Sequence, residues 1–442
     1  MPNKNEEQNF IREKIKDKPL NKKKIFHKGI ATIGYAILFG VVSCLVFCVL
    51  RPIMEPWFAP EEDEWVGIPK DNTLADDTEP ETTTDDKVQN TNVDDIDADQ
   101  KDKKTEQQTV YITEKQEMTL DDFQQLQNEL YRIGRSVNKS IVTVTGVREG
   151  TDIFDSPYEA AGQASGLIIG NSNKELLILT EYQVIEDVKS IRVTFINDDT
   201  LDAQLKKYDG NTGIAVLGVP VEKIADATMN QIEIAVLGNS LGIRQGKMVV
   251  ALGSPLGTNY SILTGNVTSV TNTITTEDRN YTVFTTNIVS NARGNGVLVN
   301  ISGEVIGLFL KSSNIQKEQN TLTAVSISEL KDILELLSNG LDVPYIGIKG
   351  STVTDAISEE YDIPKGVYIK EAVMDSPAMT AGLQTGDVIV SVNREEVLTM
   401  EDYQKILLTL KKGDEVRITV NRQSAEGYKK VNCIVQVGVL RS

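Results

Sequence analysis

The sequence predicts a mainly β protein: a region of short strands followed by a smaller α+β module, with one membrane-spanning helix before both. Three observations predict this order. Seven short runs rich in β-branched residues, punctuated by Gly, Asn and Asp, lie between residues 140 and 310. Beyond residue 340, strand patterns alternate with one helical pattern, and residues 29–50 carry no charge. Short strands at this spacing are typical of a barrel or a sandwich.

The N-terminal part predicts a basic cytoplasmic tail and a transmembrane helix. Residues 1–28 hold nine Lys and Arg against four Asp and Glu, and residues 29–50 are long enough to cross a hydrocarbon core of roughly 30 Å. A cleavable signal peptide is the alternative, although its apolar region is usually only about 7–15 residues long. Because the basic flank precedes the span, we expect the N-terminus in the cytoplasm and the bulk of the chain outside the cell membrane.

Small residues recur every four positions along the predicted span, at Ala36, Gly40, Cys44 and Cys48. They share one helix face, where close approach of a second helix is favoured. The same pattern is common in membrane helices that do not pair. Homo-oligomerisation therefore stays open.

Residues 51–118 predict an acidic, disordered linker. Between residues 55 and 106 there are eighteen acidic residues against five lysines, and few aromatic ones, so little apolar surface is available for burial. The whole chain carries a formal net charge of −19, which argues against binding nucleic acid. The linker separates the predicted span from two predicted domains, residues 119–340 and residues 341–442.

Helix signals mark both domains. Thr119, with Asp122 three residues later, predicts a helix N-terminus, and residues 326–340 predict a second helix at the end of the first domain. In the second domain residues 399–410 predict one capped helix among strands.

From residue 120 to the C-terminus, the sequence resembles the membrane-anchored HtrA (Deg) trypsin-like serine proteases with one C-terminal PDZ domain. The most specific stretch is "LGNSLGIRQGKMVVALGSPLG". Four others carry the likeness: "ASGLIIG", "LILTEYQVIEDVKSIRVTF", "NTGIAVLGV" and, in the second domain, "SPAMTAGLQTGDVIVSVN". This resemblance implies a trypsin-like double β-barrel followed by a PDZ domain.

The catalytic residues that the resemblance implies are absent from the matching positions. Gln183 stands where the family has histidine, Gly213 where it has aspartate, and Gly294 where it has the nucleophilic serine. Ala292 and Asn295 replace glycines of the oxyanion turn, and the only histidine of the chain is His27, on the predicted cytoplasmic side. A serine-protease triad acts as a unit. The sequence therefore predicts that the chain is not an enzyme but a pseudoprotease. An active HtrA-like serine endopeptidase with unrecognised catalytic groups stays as the alternative.

The resemblance also implies a peptide-binding groove in the second domain, where backbone N–H groups receive a terminal carboxylate. Six residues match it: Tyr345, Ile346, Gly347 and Ile348 in the loop, with Tyr403 and Ile406 on the facing helix. Ordinary core packing is the alternative for each. We expect an extracytoplasmic protein that binds protein or peptide C-termini, in bacterial envelope quality control or scaffolding. With one exterior cysteine and no exterior histidine, we expect no metal and no cofactor.

Overall fold

The computed structural model describes residues 39–40, 43, 65–71, 119–151, 157–291, 294–310 and 321–440, and one compact unit spans Trp65–Ser442. Of the predicted membrane span, only Phe39, Gly40 and Ser43 fall within these ranges, and most of the predicted tail and linker lies outside them. Among the described residues, no helix combines the length and apolar character needed to cross a membrane.

Two closed six-stranded barrels confirm the predicted trypsin-like double barrel. The first, with strand order β1-β2-β3-β6-β5-β4, comprises β1 (Ile141–Thr151), β2 (Pro157–Asn171), β3 (Glu175–Glu181), β4 (Ser190–Thr194), β5 (Thr200–Asp209) and β6 (Ile214–Pro220). Its interior holds Val142, Val144, Ile178 and Leu217, which are fully buried. Alternation of such residues with outward-facing ones is what sets the register of each strand.

The second barrel has the strand order β10-β11-β12-β9-β8-β7. It comprises β7 (Met248–Ser254), β8 (Ser261–Thr275), β9 (Asn280–Val289), β10 (Asn295–Val299), β11 (Val305–Phe309) and β12 (Thr321–Ser326). Strand β10, which would carry a nucleophile at its start, forms as its alternating valines predict and pairs with both β7 and β11.

Four α-helices flank the barrels in the described residues, and one of them, α1, begins at the predicted capping signal. Helix α1 (Leu120–Val137) begins at Thr119, whose hydroxyl accepts the Asp122 N–H while the Asp122 carboxylate accepts the Thr119 N–H. Two short helices follow, α2 (Tyr182–Ile185) and α3 (Asp226–Met229). Helix α4 (Lys331–Ser338) is shorter than predicted, because Ser326 still belongs to β12.

An N-terminal arm, residues 65–71, packs on the second barrel and α4. The Val66 N–H donates to Asn339 Oδ1 over 2.8 Å, and Asn339 Nδ2 returns a bond to the Val66 carbonyl. Ile68 is buried in the core between the barrels. The prediction of disorder for residues 51–118 is therefore wrong for the arm, since the average composition of that tract concealed one short apolar segment.

A buried ion pair fixes the C-terminal end of the arm. Asp71 Oδ1 lies 2.7 Å from Lys331 Nζ, and the Lys331 side chain is only 3% exposed. The other carboxylate oxygen accepts a 2.6 Å bond from the Ser328 hydroxyl. Both charges are thus hydrogen-bonded as well as paired, which a buried ion pair requires.

The C-terminal domain is an α+β module with its own hydrophobic core, and it confirms the predicted PDZ domain. Its main sheet has the order β14-β15-β16-β18-β19, with β17 paired to β16, and β13 pairs with β20. The strands are β13 (Pro344–Tyr345), β14 (Ile348–Thr352), β15 (Val367–Ala372), β16 (Val388–Val392), β17 (Glu395–Glu396), β18 (Glu415–Ser424), β19 (Gly427–Gln436) and β20 (Gly438–Val439). The helices are α5 (Asp355–Tyr361), α6 (Pro377–Thr380) and α7 (Met400–Leu408).

Candidate functional site

The structure brings the first two predicted catalytic positions together at one end of the first barrel. Helix α2 begins directly after β3, and the Tyr182 N–H donates to the Gly213 carbonyl over 2.8 Å. Gly213 adopts a positive φ of 74° at the end of the β5–β6 turn. Gln183 is exposed beside it. The Gln183 side chain is an amide and Gly213 has only a hydrogen atom as its side chain. Neither takes up and returns a proton as imidazole does.

The third position, Gly294, lies in a tight turn before β10, where the space for a side chain is already filled. A Cβ atom built there would lie 2.4 Å from the Pro255 carbonyl oxygen and 2.6 Å from Ser290 Oγ. The Ser290 hydroxyl is buried and donates to the Pro255 carbonyl over 3.1 Å. A serine at 294 does not fit this turn unless the backbone around Pro255 moves. Ala292, predicted in the oxyanion turn, lies outside the described residues.

Asn295, the other predicted oxyanion-turn residue, joins the two barrels. Its side chain is buried, and Oδ1 accepts the Ser165 N–H of β2 over 3.3 Å. With Thr180 and Gly296 it lines a cavity of about 20 Å³ at the seam between the barrels. A cavity of this size holds about one water molecule. Asn295 therefore links the two barrels beside a small cavity at their seam.

A second set of polar groups that suits ligand binding lies in the PDZ domain. Three successive backbone N–H groups, from Ile346, Gly347 and Ile348, converge on one carboxylate, at 2.7, 2.7 and 3.1 Å. We call these three groups the carboxylate cradle. The carboxylate belongs to Asp278, which lies on the second barrel, 68 positions before Ile346. It is fully desolvated at 2% exposure, so these hydrogen bonds form away from water.

Gly347 shapes the cradle. Its φ of +93° is a conformation that residues with a side chain rarely adopt, and a Cβ atom there would lie 2.3 Å from Ser376 Cβ. Tyr345, before the cradle, pairs in β13 with Gly438 of β20. Glycine thus lets the loop turn its N–H groups inward against α6.

The two predicted residues of α7 have different surroundings. Tyr403 is 1% exposed, and its hydroxyl donates to Asp278 Oδ1 over 2.7 Å, as a fourth donor beside the cradle. Ile406 is half-buried and packs against the PDZ core. Burial raises the pKa of Asp278, and the four hydrogen bonds to its carboxylate act in the opposite direction. Burial and the nearby Asp278 charge both raise the pKa of Tyr403.

Asp278 was missed by the sequence analysis. The only local signal is "TEDRN" between two strand-like runs, which predicts a turn, and Asp278 indeed adopts a positive φ of 59° at the tip of the β8–β9 hairpin. Nothing in that pattern identifies a partner in a different domain.

Comparison with known proteins identifies both domains. Residues 164–308 match the family described as trypsin-like peptidase domain, and residues 368–422 match the PDZ domain family. The serine protease Do-like HtrB of Bacillus subtilis is 30% identical over 59% of this chain and 59% of its own length. The chain has a trypsin-like peptidase domain followed by a PDZ domain, and it is similar to proteases of the HtrA type over about 60% of its length.

Two further matches share this architecture. The serine protease Do-like HtrA of Lactobacillus helveticus is 29% identical over 62% of this chain and 68% of its own length. A solved structure of an alanine variant of the HtrA-type protease AlgW with a decapeptide shares the fold at 19% identity and a TM-score of 0.50, over 71% of this chain and 98% of that one.

These relatives contradict the prediction that the chain is not an enzyme, because they are named serine proteases. We withdraw that prediction. It rested on the three triad positions, on Ala292 and Asn295 in the oxyanion turn, and on His27 as the only histidine of the sequence. All of these concern the mechanism of one catalytic triad.

Proposed function

We propose that this HtrA-type chain binds the C-termini of polypeptides through its PDZ domain. The carboxylate cradle carries the proposal: three converging backbone N–H groups and the Tyr403 hydroxyl already hold a carboxylate in the structure. A C-terminal carboxylate presents the same two oxygens as the Asp278 side chain. Charge-assisted hydrogen bonds of this kind are roughly twice as strong as neutral ones.

The strand beside the cradle supports the same function. Strand β14 is at the end of the main PDZ sheet and pairs on one side with β15. An edge strand of this kind can accept an extended peptide as an additional strand, with α7 forming the opposite wall of the groove. The cradle would then receive the last carboxylate of that peptide.

Binding is tested on the full-length chain by fluorescence anisotropy, with fluorescein-labelled decapeptides ending in valine. One peptide carries a free C-terminal carboxylate, and its matched control carries a C-terminal amide. We expect at least about tenfold weaker binding of the amide, because it places N–H groups against N–H donors. Equal affinity for the two peptides would refute carboxylate recognition.

We further propose that the chain is membrane-anchored and extracytoplasmic and serves in envelope quality control or scaffolding. The uncharged run of residues 29–50, with its basic N-terminal flank, supports the anchor. Treatment of intact spheroplasts with an added protease tests it. We expect the PDZ domain to be digested from outside and the anchored fraction to resist extraction with alkaline carbonate.

Endopeptidase activity is the second candidate, favoured by the names of the relatives. It would need groups other than Gln183, Gly213 and Gly294. Among described hydroxyls, that of Ser290 lies closest to the place where a side chain at 294 would begin. Labelling the full-length chain with a fluorophosphonate tests this role. A label lost in Ser290→Ala but kept in the exposed-turn control Ser302→Ala would assign it, whereas a label unchanged in both would exclude Ser290.

A further inference from the structure

We infer that Asp278 is an internal ligand of the PDZ domain, so that any external polypeptide carboxylate must displace it before binding. The inference rests on the proposed function and concerns its regulation. The segment that carries Asp278 is the tip of the β8–β9 hairpin, residues 276–279, which we call the hairpin tip. It belongs to the peptidase domain, whereas the cradle belongs to the PDZ domain.

The hydrogen bonds at Asp278 resemble those of a bound ligand. Oδ2 accepts the N–H groups of Ile346 and Gly347, and Oδ1 accepts the Ile348 N–H and the Tyr403 hydroxyl. All four partners are donors. The arrangement therefore suits an ionised carboxylate and leaves no donor of the cradle for a second one.

The backbone of the hairpin tip also occupies the groove. The Asp278 N–H donates to the Ile348 carbonyl over 2.6 Å, and Asn280 Nδ2 donates to the Gly350 carbonyl over 3.2 Å. Both acceptors belong to β14, along the edge that an added peptide strand would use. The hairpin tip thus takes the place of the carboxylate and of part of the peptide backbone.

The hairpin tip is held in place from the peptidase side. Its turn is closed by a 2.8 Å bond from the Thr276 N–H to the Arg279 carbonyl. Asn211 Nδ2 donates to the Glu277 carbonyl over 2.7 Å and to the Thr276 hydroxyl over 3.0 Å. Asn211 lies two residues before Gly213, in the turn that meets α2. Displacement of Asp278 by a peptide therefore acts on a segment that is bonded to the turn containing Gly213, one of the predicted catalytic positions.

Asp278→Asn provides the test. The substitution keeps the size of the side chain and the positive φ, which Asn tolerates, but turns N–H groups toward two of the four donors. Asp362→Asn is the matched control: it makes the same change at another positive-φ aspartate, which is exposed. The readout is anisotropy of the same valine-terminated carboxylate and amide decapeptides on the full-length chain.

We expect Asp278→Asn to bind the carboxylate peptide about 10-fold or more tightly than the natural chain, because the internal ligand loses its charge-assisted hydrogen bonds. The control should bind like the natural chain. Equal binding by Asp278→Asn and the natural chain would overturn the internal ligand while leaving carboxylate recognition intact. Failure of both to bind, with folded protein, would instead refute the proposed function.

Asn280→Ala keeps the inference testable if Asp278→Asn does not fold. It removes the Gly350 contact but leaves the cradle and Asp278 unchanged. Loss of one such hydrogen bond should tighten carboxylate-peptide binding by about two- to tenfold. Hydrogen exchange at Ile346 and Gly347 adds a second measurement on the natural chain. Their amides should be protected without peptide, and unprotected amides would refute the internal ligand.

Discussion

The predicted catalytic positions and the carboxylate cradle differ in the kind of atom that performs their function. At Gln183, Gly213 and Gly294 the expected chemistry depends on three side chains, and none of them is present. In the cradle it depends on backbone N–H groups, which every residue except proline supplies. The cradle therefore needs only the correct turn, and the turn needs one glycine.

This difference shows how each site can be recognised. The side chains at the predicted catalytic positions can be read directly from the sequence, whereas the resemblance located the cradle loop but not the carboxylate that its N–H groups bind. At both glycines the space for a side chain is filled, by the Pro255 carbonyl and Ser290 at Gly294 and by Ser376 at Gly347, but only Gly347 also has a positive φ, of 93°. Gly294 is part of a packed turn, whereas Gly347 maintains the conformation of the cradle loop.

Gly347→Val should give the largest effect. Valine would meet Ser376 at 2.3 Å in a backbone conformation with φ of +93°, so we expect a loss of roughly 2–5 kcal/mol in the free energy of unfolding and loss of carboxylate-peptide binding. Urea denaturation and anisotropy measure the two effects. Gly386→Val is the control, because it has the same φ and no atom within 4 Å. Equal losses for both variants would mean that crowding against Ser376 is unimportant.

Gly294→Ser should be the next most damaging substitution. The new side chain would collide with the Pro255 carbonyl, and we expect a loss of roughly 1–3 kcal/mol without any gain in casein hydrolysis. Gly162→Ser is the matched control, since the nearest atom to a Cβ there is 3.7 Å away. A rise in casein hydrolysis in Gly294→Ser alone would show that the turn accommodates the serine and that a nearby group acts as its general base.

Tyr403→Phe removes one of the four donors to Asp278 and leaves the cradle in place. We expect a destabilisation of about 1–3 kcal/mol, because a buried carboxylate oxygen loses a partner. Thermal unfolding of the full-length chain measures it. Tyr361→Phe, at a 63% exposed tyrosine of α5, should leave stability within about 0.5 kcal/mol. Similar changes in both variants would contradict a special role for Tyr403.

Gln183→Ala should have the smallest effect, within about 0.5 kcal/mol of the natural stability, because this side chain is exposed. Peptide affinity should also be unchanged. Loss of fluorophosphonate labelling in this variant, with stability preserved, would show that Gln183 takes part in catalysis after all. Gln231→Ala, at another exposed glutamine outside both sites, serves as its control.

Much of the fold was predictable because its causes are local. Alternating valines predict β10, and the Thr119–Asp122 pair predicts the start of α1. The arm escaped prediction because its apolar segment, residues 65–68, is short and lies in a long acidic tract. The role of Asp278 was not predicted because its hydrogen-bond partners are 68 or more positions away in the sequence. A local sequence pattern can predict a turn but not the distant loop that the turn contacts.

The arm has a mechanical consequence. We expect a pull on residue 65 to load the Trp65–Glu335 and Val66–Asn339 hydrogen bonds first, and the Lys70–Asp332 and Asp71–Lys331 ion pairs last, so that the contacts break one after another. Neither barrel contributes a strand to this attachment, and we therefore expect the arm to detach under a force that leaves both barrels folded. Residues 72–118, between Asp71 and α1, comprise 47 residues. At full extension they reach at most about 160 Å. A force applied at residue 65 thus reaches the domains through the arm while the arm is attached, and through residues 72–118 and α1 once it has detached.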